Sequence, residues 1–246
     1  MKMEMKTFLV LTLSFILAGL CIAADAPPRL KVLLVTGGHG FEQRPFFKLF
    51  QDNAEILLTT AEHAKTSATA YERGDLLNFD VVVLYDMPMT ITEAQKASFL
   101  SLFDKGVGMV VLHHALVSFQ DWPEYEQIIG GRYPKPPAGQ PQVTDLVGYQ
   151  HDQEVPVTIV AKEHPITAGL KDFIIHDEIY WGFRVGKDVT PLLTTTNEKS
   201  GKPLAWVRQQ GKSRLIYLQL GHDHQAWDNP NYPVLLARSI RWVAGR

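Results

Sequence analysis

Apolar and polar positions alternate in two distinct rhythms along the chain. Residues 30–36 form a nearly unbroken apolar, β-branched run, which predicts a strand buried on both faces. Glycines at 37, 38 and 40 end it, and a helix is predicted through Phe46, Phe47 and Phe50. Residues 55–60, 80–85 (with Val81, Val82, Val83 and Leu84) and 109–113 predict three more strands. Between the last two, Thr92 and Gln95 make a capping-box pattern. The helix it opens carries Ala94, Ala97, Leu100, Leu102 and Phe103, and Gly106 is its stop. Continuous apolar strands alternating with helices predict a parallel sheet covered on both faces.

The middle is less regular. Residues 122–129 predict a short helix closed by Gly130 and Gly131, and prolines 134, 136, 137 and 141 mark a surface loop. A strand is expected over 155–161, and a hairpin from 204–207 and 215–220 around Gly211. A last helix, 233–243, places Leu236, Ile240 and Val243 on one face. The whole reads as one doubly wound α/β domain with a β-rich insertion.

Composition narrows the partners. The 246 residues are 46% hydrophobic and 20% charged, with net charge −2, so a folded core is expected rather than disorder. No Lys/Arg-rich run occurs, so no nucleic-acid partner is expected. Lys2 and Lys6 flank an apolar run over 8–20, with Ile22 and Ala24 before a cleavage point. Residues 1–24 therefore read as an export signal, leaving 25–246 as a periplasmic or secreted domain. The run is shorter than the roughly 20 residues of a spanning helix, so no stable membrane insertion is expected after cleavage. Cys21 is the only cysteine and falls inside that signal. Disulfides, thiolate metal sites and cysteine nucleophiles are thereby excluded from the remaining chain.

Ligands of open parallel sheets bind beyond the carboxyl ends of the strands. Five of the nine histidines fall at such ends: His39, His113, His114, His222 and His224. Gly37-Gly38-His39-Gly40 is neither a Walker loop nor a full dinucleotide fingerprint. It serves either as a ligand loop, through Gly38 and His39, or as a tight turn that needs glycine. His113-His114 sits where a nucleophile turn would sit, without Ser or Cys. His222 and His224, two apart in extended chain, suit either a divalent metal ion or acid/base work. Glu178, in the run His176-Asp177-Glu178-Ile179-Tyr180-Trp181, is a candidate proton acceptor whose pKa burial would raise. Trp181 offers a flat face to a sugar.

Taken together, the ordered pieces carry a family resemblance. Gly37-Gly38-His39, the stretch 108–115 with His113, Gly130-Gly131-Arg132 and His164-Pro165-Ile166-Thr167 are four of them. Asp177-Glu178-Ile179-Tyr180, Pro203-Leu204-Ala205-Trp206 and Leu220-Gly221-His222 complete the set. In this order the chain resembles the ThuA-like (trehalose utilisation) proteins of the class I glutamine amidotransferase-like superfamily. The resemblance implies a flavodoxin-like three-layer α/β/α sandwich with a mostly parallel sheet, and a role in carbohydrate metabolism. It puts His114 at the place of the amidotransferase cysteine and His222-Asp223-His224 at the late His-x-Glu motif, so glutamine hydrolysis is not expected. Relatives are associated with sugar oxidoreductases and 3-keto-glycoside breakdown. That implies a small-molecule carbohydrate ligand and acid/base chemistry, metal-assisted or not, with His113, His222 and Glu178 catalytic. Gly38, His39, His114, Trp181 and His224 would contact the ligand. The alternatives are a carbohydrate-binding protein without catalysis, and a metal-dependent hydrolase of another substrate class with His39, His222 and His224 as ligands.

Overall fold

Alternation of core contacts along single strands explains why the apolar runs are continuous. The computed structural model describes residues 27–136 and 139–246; the expected export signal over 1–24 lies outside the described residues. In β1 (Leu30–Gly37), Val32 and Leu34 enter one core cluster while Leu33 and Val35 enter the other. After α1 (Gln43–Gln51) and β2 (Ile56–His63), the same division recurs in β3 (Val81–Asp86): Val81, Val83 and Tyr85 on one side, Val82 and Leu84 on the other. Successive side chains of a strand point to opposite faces, so a strand buried on both must be apolar throughout.

The helix α2 (Glu93–Lys105) begins at the expected capping box, with both Thr92–Gln95 hydrogen bonds formed, and ends at Gly106 in the left-handed conformation, φ 93°. Next come β4 (Gly108–Leu112), a 3₁₀ turn at His113–Val117, α3 (Pro123–Ile129) and the two-residue β5 (Gly131–Arg132). The insertion holds β6 (Gly148–Ile159), β7 (Phe173–Trp181), the short β8 (Arg184–Val185) and β9 (Thr190–Thr195). The hairpin β10 (Ala205–Gln210) and β11 (Ser213–Leu218), α4 (His224–Trp227) and α5 (Asn231–Val243) complete the chain.

The nine-stranded sheet has the order β2-β1-β3-β4-β11-β10-β9-β6-β7. Its first five strands are all parallel, in the flavodoxin-like arrangement. The remaining four continue antiparallel from β11. Among the described residues no helix is long and apolar enough to cross a membrane.

Two strands run differently from the sequence expectation. The strand expected at 155–161 is the end of a longer β6, whose first half is polar (Gln150, His151, Asp152). A register shift between Gln150 and Gln153, with Asp152 at φ 58°, interrupts its alternation. The expected fourth strand stops one residue early, because His113 leaves the extended conformation.

Candidate active site

Four parallel strands deliver the wall of one cavity at their carboxyl ends. It has a volume of about 200 Å³ and is lined by His39 after β1, Met87 after β3, His113 and His114 after β4, and His222 after β11. The antiparallel extension supplies the rest, chiefly Tyr149 and His151 of β6 and Glu178 and Tyr180 of β7.

His113 is the pivot. Its backbone sits at φ 48°, a left-handed conformation uncommon outside glycine and costly for a side chain. Its ring is buried and held at both nitrogens. Nδ1 lies 2.6 Å from the Gln219 carbonyl oxygen, which can only accept, so Nδ1 carries a hydrogen. Nε2 lies 2.8 Å from Glu178 Oε2, 2.8 Å from the Tyr180 hydroxyl and 3.3 Å from His222 Nδ1. The backbone oxygen of His113 accepts from Tyr217 at 3.1 Å. The strained turn thus falls on His113, one residue before the position that the family resemblance gave to His114.

The late loop is fixed by Asp177. Its carboxylate accepts the main-chain N–H groups of Glu178 (2.8 Å), Gly221 (2.7 Å) and His222 (3.0 Å). Gly221 is at φ 113°, and a Cβ there would stand 2.2 Å from the Tyr232 hydroxyl oxygen, so only glycine fits. The turn brings His222 Nδ1 to 3.3 Å from Glu178 Oε2, while His151 Nδ1 stands 3.4 Å from Oε1.

Electrostatics divides these groups by charge. Burial alone would raise the Glu178 carboxyl, but hydrogen bonds from His113 and His222 outweigh it and hold the group well below the usual carboxylate range. The expectation of a raised pKa is therefore corrected: Glu178 is an ionised carboxylate and a poor proton acceptor. Burial likewise pulls His222 down, yet Glu178 raises it further, so its charged form is favoured. His39 and His114, stacked with ring centroids 4.7 Å apart, move the other way: burial lowers both, and His114 strongly. Both are neutral at neutral pH. Burial, reinforced by Glu178, raises Tyr180 well above its ordinary value, so it keeps its proton and donates.

Three expected site residues lie elsewhere. His224 opens α4 and turns to Glu42, with Nδ1 2.9 Å from Oε2, so it does not share a ligand with His222. The helical turn that starts at Asp223 is the reason: the extended conformation that would align the two rings is not kept. Trp181 does not line the cavity; its indole N–H donates to the Thr144 oxygen at 2.9 Å. Alternation along β7 gives Glu178 and Tyr180 to the cavity and not Trp181. Gly38, at φ 74°, packs against the Met87 backbone and serves as the turn that presents His39. The sequence reading missed Tyr180, His151 and Asp177 as site residues. Tyr180 shares the face of Glu178 at a spacing of two, a signal that was present; nothing local marked His151.

Comparison with known proteins agrees with this fold. A ThuA-like protein from Parabacteroides merdae is 21% identical over 88% of this chain and 90% of its own, with a TM-score of 0.73. A ThuA-like protein from Bacteroides uniformis is 22% identical over 92% and 95%, with a TM-score of 0.68. A β-galactosidase from Rahnella sp. R3 shares the fold at 14% identity and a TM-score of 0.58 over 87% of this chain and 32% of its own. No curated protein matches the chain. The family model described as ThuA, trehalose utilisation, matches residues 31–243, and the chain belongs to that family.

Proposed function

We propose that the protein is a sugar-active enzyme that cleaves 3-keto-glycosides by proton transfer next to the ketone. The observation that carries this reading is the convergence of Glu178, His113, His222 and Tyr180 in one cavity with two neutral imidazoles. A ketone at C3 acidifies the C2 proton. A base takes that proton, and the enolate oxygen gathers charge. As the enolate collapses to a C1=C2 double bond the C1–O bond breaks, its electron pair leaving on the aglycone oxygen, which then takes up a proton. The charged cluster supports the step that develops negative oxygen, and Tyr180 donates a hydrogen bond there. His39, neutral and exposed at the cavity, takes the C2 proton, a role that suits a base poised below its ordinary pKa.

The cavity supports a small polar ligand. At about 200 Å³ it is smaller than the 300–1,000 Å³ of clefts that bury drug-sized ligands, so it takes one ring and leaves the aglycone outside. His114 Nε2 and the Tyr133 hydroxyl, on residues lining it, have no hydrogen-bond partner among the described residues. A polyhydroxylated ring brings hydroxyls to residues of this kind. The apolar segment over 8–20 with Ile22 and Ala24 supports action outside the cytoplasm.

Incubation of the protein with 3-keto-disaccharides in D₂O tests the reading. Expected are cleavage and deuterium at C2 of the recovered ketone, both strongly reduced in His39→Gln, with the unoxidised disaccharides inert. Saccharide binding without cleavage or exchange would make the protein a binding protein. Cleavage without exchange, undiminished in His39→Gln, would remove the proposed base.

A further inference from the structure

Three polar side-chain atoms converge on His113 Nε2. Nδ1–H of that ring is already committed to the Gln219 carbonyl. Nε2, the other ring nitrogen, faces Glu178 Oε2 at 2.8 Å. His222 Nδ1 joins the same point at 3.3 Å from both atoms. The Tyr180 hydroxyl, itself a donor, also aims at Nε2. Three atoms of the kinds that ligate metals, two imidazole nitrogens and a carboxylate oxygen, thus converge on one spot. Among the described residues, Glu178 forms no ion pair with Lys or Arg; the basic side chains that face it are the imidazoles of His113, His151 and His222.

We propose that His113 Nε2, Glu178 Oε2 and His222 Nδ1 form a three-ligand site for a divalent first-row transition-metal ion. The triangle they make has the right size. With metal–ligand bonds of ~2.1 Å, neighbouring donors stand ~3.0 Å apart around an octahedral ion and ~3.4 Å around a tetrahedral one. The edges here are 2.8, 3.3 and 3.3 Å. An ion above the centre of that triangle reaches all three donors without moving the backbone. Two imidazoles and one carboxylate select iron, manganese, zinc or cobalt rather than magnesium or calcium.

The surroundings fit a metal ligand set. A ligating histidine commonly donates its other ring N–H to a backbone carbonyl or carboxylate, which fixes its tautomer; the Gln219 carbonyl does this for His113. Asp177 orients the other two ligands through the Glu178 and His222 main chains. All three donor residues line the cavity, where an ion they held could also take an exchangeable water or substrate oxygen. These are not the ligands expected from sequence, since His224 lies on Glu42. The site needs no assumption about the sugar, so it stands or falls separately from the proposed reaction.

Metal binding to the full chain, freed of metal by chelator and dialysis, tests it directly. Cobalt(II) titration followed by visible absorption, with zinc and manganese titrations by calorimetry, reads the site without substrate. One ion per chain is expected. Glu178→Gln and His222→Ala should each weaken binding at least ~100-fold, beyond the 10–100-fold typical of losing an outer partner. His224→Ala should bind as the wild type does. The proposal is overturned by wild-type protein that takes up well under one ion, by binding that survives both substitutions, or by an equal loss in His224→Ala. Thermal unfolding of each stripped variant checks the fold; His222, partly exposed, carries the test if Glu178→Gln does not fold.

Discussion

Glu178 Oε2 stands 2.8 Å from His113 Nε2, and the two side chains are almost wholly withdrawn from solvent. They come from β7, the last strand of the sheet order, and from the turn after β4 near its centre. The antiparallel half therefore folds back over the carboxyl ends of the parallel half. The parallel strands supply imidazoles at a conventional ligand edge, and the insertion supplies the carboxylate and phenol that give them chemistry. Neither half carries a complete site.

Asp177 should prove as important as the groups that touch the cavity. Oδ1 accepts from Glu178 and His222, and Oδ2 from Gly221. In Asp177→Asn one of these oxygens becomes an NH₂ facing an N–H donor. The expected result is a loss of about 1–3 kcal/mol in stability, from a buried group left unsatisfied. Turnover should fall with it as His222 drifts. Denaturant unfolding beside steady-state kinetics measures both, and wild-type values in each would show that Asp177 does not set the loop.

A second buried polar pair braces the opposite side of the glycine loop. His63 Nδ1 lies 2.8 Å from Asp86 Oδ2, both fully buried at the ends of β2 and β3. A Cβ at Gly37 would come within 2.1 Å of the His63 backbone oxygen, so the pair sits directly against the loop that presents His39. Asp86→Ala strands the imidazole and should cost about 3 kcal/mol in a denaturant titration. A cost under about 0.5 kcal/mol, the scale of ordinary surface changes, would show the pair to be dispensable.

The parallel half was legible because its strands are buried on both faces and its helices carry explicit stops, such as Thr92–Gln95 and Gly106. The insertion was not. β6 begins with exposed Tyr149, Gln150, His151 and Asp152, and its register shift breaks the period of two. At the site, His39, His113, His114 and His222 were legible as strand-end residues, and all four line the cavity. The charge state of Glu178 was not, because burial and its histidine partners act in opposite directions and only their distances decide between them. His224 misled for a local reason: Asp223 caps a helix through its side chain to the Gln225 N–H, ending the extended run after His222.

His224 gives a pH signature apart from catalysis. Its hydrogen bond to Glu42 raises its pKa above the ordinary 6.5. A raised histidine stabilises the fold fully below its ordinary value, and that contribution disappears as pH rises through the raised one. Both partners are exposed, so the effect is small and screened by salt. Melting curves in low salt should show His224→Gln slightly below wild type near pH ~6, with the gap closing by pH ~8.5. A gap that widens with pH would contradict the sign.

Tyr180 separates chemistry from ligand geometry. Its hydroxyl lies 2.8 Å from His113 Nε2, and its ring packs 4.8 Å from His113 and 5.3 Å from Tyr133, centroid to centroid. Phenylalanine keeps the ring contacts and removes only the donor. Because Tyr180 is held protonated, that donor is present throughout the working pH range. If it stabilises developing negative charge on the substrate oxygen, Tyr180→Phe should lower kcat about 10²-fold with KM nearly unchanged, as losing a transition-state donor does. Metal affinity should change far less than in Glu178→Gln, since no ligand atom is lost. Should kcat hold while KM rises, the hydroxyl contacts bound substrate without aiding the reaction. Should metal binding collapse instead, Tyr180 supports the position of His113 rather than the substrate oxygen.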